Sequence, residues 1–374
     1  MLSVLTCNIG SSSVKLSLYE WKTLTPLRSQ TLEIKASSLL GMELKEFFAG
    51  GFFADTILQA IGCRVVHGGA TFRDPTVVDE KVLEAIRSFA FLAPIHNPKA
   101  AEFIEACQRV RPTIPIVAVF DTAFHRTLPA VATTYALPQN LVAKSGLTRY
   151  GFHGIAHQQV SERLRAAQGQ NISTDRLITC HLGSGASVCA IYKGKSIDTS
   201  MGYTPMEGLI MSTRCGDVDP GIIFSLLQDT SLSEEQLHSL LNDESGLKGI
   251  SGISGDMREL ELAAERGNEK AEHALQCFTY RIVKYIGAYV AVLGGLDAIV
   301  FSGGIGENSS IIRSRVCAAL RYLGVALDEA ANHVASGSAL DCISKKSVQP
   351  SVWVIHADEA LQIAKETRAV INYS

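Results

Sequence analysis

Two stretches far apart in the chain alternate apolar and polar positions in the same way. Leu5–Tyr19 reads L-T-C-N-I-G-S-S-S-V-K-L-S-L-Y, and Ile178–Tyr192 reads I-T-C-H-L-G-S-G-A-S-V-C-A-I-Y. Both share T-C-x-[IL]-G-S, and the pattern predicts strand, tight Gly/Ser turn, strand. Continuous apolar runs at Ile61–His67, Ile114–Phe120, Ala298–Ser302 and Trp353–His356 predict buried strands. Helical spacing covers Lys81–Phe89, Lys99–Arg109, Ala156–Ala167, Leu232–Leu241, Arg258–Ala291 and Asp358–Val370. The string L-A-P-I-H-N-P, ending at Pro98, is expected to stop any helix there. Asp121–Pro138 is polar and irregular. Thr199–Pro220 is rich in Gly, Pro, Arg and Asp, and a loop that long inside a compact domain is usually functional.

Strands alternating with helices predict an α/β fold with mixed sheets. Two like hairpins suggest two like domains, and 374 residues are long for one core. Backbone N–H groups and hydroxyls crowded into a Gly/Ser turn make a cradle for anionic oxygens, although such a turn also serves an ordinary hairpin. A formal net charge of −3 with no basic block argues against nucleic acid as a partner. The longest apolar stretch, Tyr285–Leu296, stops short of the ~20 residues a membrane span needs. The N-terminus enters a strand at once and shows no targeting segment. Nine cysteines, an odd number with no C-x-x-C, argue against disulfides and zinc, and a cytoplasmic location is expected.

The polar residues that interrupt this pattern are the candidates for chemistry. Arg64 lies in an apolar strand, which suits either an anion or a structural Arg–Asp pair. Asp121 ends a strand, where α/β sheets place site residues, or caps a helix. His153 follows Gly151 and Phe152 and precedes Gly154, so backbone can approach a ligand closely; a core histidine is the alternative. Arg214 sits in the long loop, as a functional cation or a solvated one. Gly303 and Gly304 follow a strand and precede a helix, with Asn308 as an amide handle for a nucleotide, or form a plain strand-to-helix turn. Asp256 and Glu359 open helices, where acidic residues are ordinary. The single G-K-S triplet, Gly194–Ser196, has Cys189 where a P-loop needs glycine, so no such loop is present.

These motifs, in this order, resemble the acetate kinase family of the acetate and sugar kinase, Hsp70 and actin superfamily. The resemblance runs from N-x-G-S-S-S-x-K at Asn8–Lys15 through R-V-V-H-G-G at Arg64–Gly69, D-T-A-F-H at Asp121–His125 and R-Y-G-F-H-G-I-A-H at Arg149–His157. It continues through His181–Ser187, Asp198–Pro220, Asp256–Arg258 and Gly303–Asn308 to Glu359. It implies two actin-like, ribonuclease H-like domains, each a mixed β-sheet flanked by helices, with the active-site cleft between them. Residues 1–125 plus 361–374 would form the first domain and residues 126–360 the second, which binds nucleotide and dimerises.

The implied reaction is reversible transfer of a phosphoryl group from ATP to acetate, giving ADP and acetyl phosphate. The resemblance assigns catalysis to Asp121, His153 and Arg214, and acetate binding to Arg64 with an acyl pocket of Val66, Ile95, Phe152 and Pro205. It assigns ATP to Lys15, to His181, Leu182, Gly183, Ser184 and Gly185, to Asp256, Met257 and Arg258, and to Gly304, Ile305, Gly306, Glu307 and Asn308. Mg²⁺, with Mn²⁺ as a substitute, falls to Asn8 and Glu359. Because acetate arrives ionised, Asp121 is expected to orient an arginine or Mg²⁺ rather than to act as a base. The implied assembly is a homodimer, with neither nucleic acid nor membrane as partner. Ser184 departs from the family's usual Asn, Ala360 replaces a second acidic residue, and the Tyr19–Arg64 segment is short. A propionate or butyrate kinase is the alternative within the family, and a non-catalytic ATP-binding relative the alternative outside it.

Overall fold

In the computed structural model, which describes residues 1–10, 13–33, 40–93, 96–168, 174–229, 232–338 and 340–373, both hairpins form. Strand β1 (Leu2–Ile9) pairs antiparallel with β2 (Ser13–Glu20), which pairs with β3 (Pro26–Glu33). Parallel strands β4 (Ile57–Val65) and β6 (Ile116–Phe120) continue the sheet, and the two-residue β5 (Thr76–Val77) closes its edge, giving the order β3-β2-β1-β4-β6-β5. The second sheet repeats this plan. It is built from β7 (Arg176–Leu182), β8 (Ala186–Tyr192), β9 (Lys195–Thr199), β10 (Ala298–Ser302), β11 (Leu340–Cys342) and β12 (Ser351–Ile355). Its order, β9-β8-β7-β10-β12-β11, is the first order with each strand replaced by its counterpart.

The chain divides into two units, Met1–Arg126 with Gly154–Gln159 and Asp358–Ser374, and Thr127–His153 with Val160–Ala357. In the first, side chains alternate between two buried faces. Leu5, Cys7, Ile61, Cys63, Val65, Ile116, Ala118 and Phe120 pack with Leu44, Val82 and Phe103 of one helical layer. Val117 and Val119 point the other way, onto Ile155 and Ile363. Both faces being covered explains why β6 is apolar at every position. Gly62 gives the terminal helix Glu359–Tyr373 its seat: a Cβ there would lie 2.1 Å from Thr367 Oγ1.

Several boundaries differ from the sequence pattern for local reasons. The helix Glu80–Ser88 ends ahead of the L-A-P-I-H-N-P string as expected, while Pro98 itself lies in the first turn of the next helix, Asn97–Val110, where its missing N–H costs nothing. The apolar rhythm of Arg258–Ala291 hides a break: one helix spans Met257–Glu265, the next Glu269–Leu293. Gly267 takes φ +83° between them, and the Asn268 side chain accepts from Ala271 N to cap the second helix. Asp121–Pro138 is not wholly irregular, since it holds a 3₁₀ turn at Ala123–Thr127 and a short helix at Ala130–Thr133. Residues 200–219 form no helix or strand. Among the described residues no helix is long and apolar enough to cross a membrane.

Candidate active site

In the first unit the site follows from strand parity. Asn8, Arg64 and Asp121 lie an even number of residues from Val4, Gly62 and Val117, so all three share the face covered by the terminal helix. They fall at the C-terminal ends of parallel strands, the usual place for ligands in such sheets. Arg64 Nε donates to Asp121 Oδ2 at 3.1 Å, and Nη2 makes a second bond to the same oxygen. Arg64 Nη1 donates to Asn8 Oδ1 at 3.0 Å, and Asn8 Nδ2 donates to Glu359 Oε2 at 2.8 Å. Burial works against the Arg64 charge, but Asp121 and then Glu359 more than offset it and raise the guanidinium above its ordinary pKa. Lys15 stands opposite Asn8 in the hairpin register and is exposed. Val66 is buried just beyond the end of β4. Ile95 lies outside the described residues.

In the second unit, His181 occupies on β7 the place that Asn8 has on β1. Its Nδ1 is 3.2 Å from Ser302 Oγ at the end of β10. The turn that follows is tight: Gly183 N donates to Gly185 O at 3.0 Å, and Ser212 N from the long loop donates to Ser184 O at 3.1 Å. Gly185 is where two candidates converge. A Cβ there would lie 3.4 Å from both Arg214 Nη1 and His153 Nε2. His153 holds a left-handed φ of +57°, strain of order 1–3 kcal/mol that clusters at functional sites, and its Nδ1 lies 2.9 Å from Ser187 Oγ.

Arg214 Nη1 donates to the carbonyl of Pro205 at 3.2 Å. Burial lowers the pKa of this guanidinium, with only partial relief from Asp243. Among the described residues no carboxylate lies within ion-pair distance of it, so the site holds a cation without its counter-charge. Phe152, beside His153, is fully buried, and Pro205 is half-buried. The loop that carries Arg214 is tied down by residues not foreseen as functional. Arg149 donates to the carbonyls of Thr199 and Met201 at 3.0 and 3.1 Å and pairs with Glu207, which also accepts from the Tyr135 hydroxyl.

Beside the turn opens a cavity of about 680 Å³, within the range of ligand pockets. Gly183, Ser184, Asp256, Met257, Arg258, Gly304, Ile305 and Asn308 line it, as do Ser212 and Thr213 of the long loop marked out in the sequence, and Gly255, Glu261 and Ser309, which were not among the candidate residues. Asp256 caps its helix through Arg258 N and pairs with the exposed Arg258 guanidinium. Gly304 belongs to a six-residue helix, Gly303–Asn308, that starts directly after β10. Gly303 takes φ +76°, and a Cβ on it would lie 2.7 Å from Leu182 O, so only glycine lets this helix begin against the end of β7. Leu182, Gly306 and Glu307 are buried and do not line the cavity. Among the described residues no group of three or more His, Cys, Asp or Glu is arranged to hold a metal ion.

Two duplicated open sheets, with Gly-rich turns at the strand ends, define the actin-like fold. Residues 52–365 match the acetokinase family, and the chain belongs to it. It is 50% identical over 315 residues to the acetate kinase of Heliobacterium modesticaldum, covering 84% of this chain and 79% of that one. A crystal structure of Porphyromonas gingivalis acetate kinase superposes with a TM-score of 0.90 at 36% identity, over 99% of this chain and all of that one. A propionate kinase from Francisella tularensis gives the same TM-score, identity and coverage of both chains. Mg-ATP dependence is typical of the family.

Proposed function

We propose that the chain catalyses Mg²⁺-dependent transfer of the terminal phosphoryl group of ATP to acetate, and the reverse reaction from acetyl phosphate and ADP. The observation that carries this reading is the meeting of Arg214 and His153 at Gly185, on the phosphate turn, with no carboxylate paired to Arg214. The nucleophile is already ionised, so the barrier is the approach of one anion to another. Two unit charges at 4 Å cost about 4 kcal/mol at an effective dielectric of ~20, and the site must remove that cost by position and charge.

In this reading Arg64 binds the acetate carboxylate, with Asp121 fixing the guanidinium plane through Oδ2. Arg214 and His153 neutralise the equatorial oxygens as the phosphoryl group moves in line. Lys15 and the His181–Gly185 turn hold the phosphates. The cavity beside that turn takes the nucleoside between Met257 and Ile305, with Asn308 and Asp256 at its rim. Glu359, released from the Asn8 amide, and Asn8, with its oxygen released from Arg64, would offer the hard oxygen donors that suit Mg²⁺ when phosphates and water complete its shell. When bound, Mg²⁺ supplies further neutralisation of phosphate charge.

Val66 in the first unit, and Phe152 and Pro205 in the second, are the bulky apolar residues we assign to the acyl group, a choice that favours acetate. The likeness to a propionate kinase keeps the three-carbon acid as the second reading. The two units would serve as the domains of such a kinase. Free cysteines and ATP as substrate fit a cytoplasmic location. A second copy is the proposed cover for the exposed apolar helix Pro220–Asp229.

The test is hydroxylamine trapping of acyl phosphate with ATP, Mg²⁺ and either acetate, propionate or butyrate. Hydroxamate from acetate at the highest kcat/KM is expected. Absence of hydroxamate from every acid would overturn the reading, and a preference for propionate would replace the substrate.

A further inference from the structure

Glu307 sits in the Gly-rich helix but faces away from its cavity, 8% exposed. Its carboxylate is fully engaged. Oε1 accepts from Gly303 N at 2.8 Å and from Ala357 N at 3.3 Å, and Oε2 lies 2.9 Å from His356 Nδ1. The first contact fixes the left-handed residue that starts the helix against Leu182. The second fixes the backbone two residues before Glu359, where the chain leaves the second unit for the first. A buried guanidinium completes the clamp. Arg313, 1% exposed, donates to the carbonyls of Gly306 and Glu307 at 3.0 and 2.9 Å, and to the side chain and carbonyl of Asn332.

We infer that Glu307 is a positioning residue. One buried carboxylate sets both the nucleotide-facing start of the Gly303–Asn308 helix and the backbone leading to Glu359, and so ties nucleotide affinity to metal affinity. This rests on the nucleotide and metal roles proposed above. A direct nucleotide ligand would have an oxygen turned to the cavity, whereas both oxygens of Glu307 are held by N–H groups of its own unit. The arrangement is economical in physical terms, because a carboxylate satisfied by two backbone amides and an imidazole can be buried without leaving donors unpaired.

The experiment compares wild type with Glu307→Gln, which keeps the side-chain volume but replaces one acceptor oxygen with an amide. Calorimetry measures ADP binding with and without Mg²⁺, and hydrogen exchange follows the Gly303 and Ala357 amides. We expect both amides to lose protection together. We also expect ADP affinity without Mg²⁺ to fall about tenfold and the enhancement by Mg²⁺ to shrink by a similar factor, the range seen when groups supporting a metal ligand are removed. The KM for acetate should stay unchanged.

A fall in ADP affinity with the Mg²⁺ enhancement intact would make Glu307 a nucleotide ligand and overturn the inference. A loss of melting temperature with neither binding quantity moved would reduce it to a structural carboxylate. If Glu307→Gln does not fold, His356→Ala removes only the exposed partner; it should shift both binding quantities in the same direction, and no shift in either would overturn the inference. Failure of wild type to bind ADP at all, with the two amides still coupled in exchange, would count against the nucleotide reading and leave the clamp standing.

Discussion

Arg64 and Arg214 are both guanidinium groups drawn out of water, but they are held in opposite ways. Arg64 has its carboxylate, Asp121, with Glu359 beyond, and its charge is secured in the folded chain. Arg214 is given only a carbonyl and a thioether, so burial tells against its charge until an anion arrives. The first arrangement suits orientation of a substrate, the second suits charge that develops in transit. Arg214→Ala should therefore lower turnover by about 10³-fold or more, the range for transition-state arginines, while ADP affinity changes little. A variant that kept a tenth of wild-type turnover in steady-state assays would remove Arg214 from the reacting centre. Glu261 illustrates a residue effect on stability. Burial in the cavity wall raises its pKa above the ordinary 4.5; the Ser309 hydroxyl lowers it only in part, and Glu265 adds to the rise. The folded state then holds the proton more tightly than the unfolded state. The resulting stabilisation is complete below the unfolded pKa and is lost as pH rises through the raised folded value. Glu261→Gln does not titrate. Urea unfolding of both proteins from about pH 4 to pH 7 should show the wild type losing ground to the variant as pH rises, and parallel curves would refute the assignment.

At the scale of elements, the repeat of T-C-x-[IL]-G-S announced a repeat of whole sheets. Each hairpin became the start of a six-stranded sheet of one topology. Much of the site was legible for the same reason: Asn8, Arg64 and Asp121 break apolar strands at positions of equal parity, and a polar residue there must have a partner. What stayed hidden depended on contacts distant in sequence. Strand β3 is mostly exposed, with a burial pattern that shows no alternation. Glu261 and Ser309 join the cavity only because the elements that carry them come together beside the turn. The helix break at Gly267 was masked by apolar spacing that continues across it. Two glycines now separate backbone cost from crowding. Gly267 and Gly303 both have positive φ, but a Cβ meets nothing within 4 Å at Gly267 and meets Leu182 O at 2.7 Å in Gly303. Gly267→Ala should cost about 1 kcal/mol in chemical denaturation and leave ADP binding alone. Gly303→Ala should cost more, about 2–4 kcal/mol once the overlap is added, and should weaken ADP binding as the helix start moves. Equal destabilisation of the two variants would show that the contact with Leu182 is of no consequence.

At the scale of the molecule, one plan of sheet presents two different sets of polar side chains, since the same strand ends carry Asn8 and Arg64 in one unit and His181 and Ser302 in the other. The duplicated plan leaves one surface element of the second unit unexplained. The helix Pro220–Asp229 reads P-G-I-I-F-S-L-L-Q-D, apolar nearly all round, a pattern that belongs to a helix covered on every side. Yet Ile222 is 48% exposed, Phe224 64% and Leu227 37%, with Val218 exposed just before them. Scattered apolar residues on a surface are ordinary, but four within ten positions make a patch, and such patches mark contacts. Under the proposed homodimer this face is buried against its copy, and Phe224, the most exposed of the four, is its anchor. Phe224→Glu would place two charges near the twofold axis, where desolvation and mutual repulsion both oppose assembly. Sedimentation equilibrium should give twice the chain mass for wild type and the single mass for the variant, with the far-ultraviolet spectrum unchanged because residue 224 touches little in its own unit. A variant that still sediments as a dimer would move the interface off this helix, and a wild type that sediments as a monomer would remove the dimer itself.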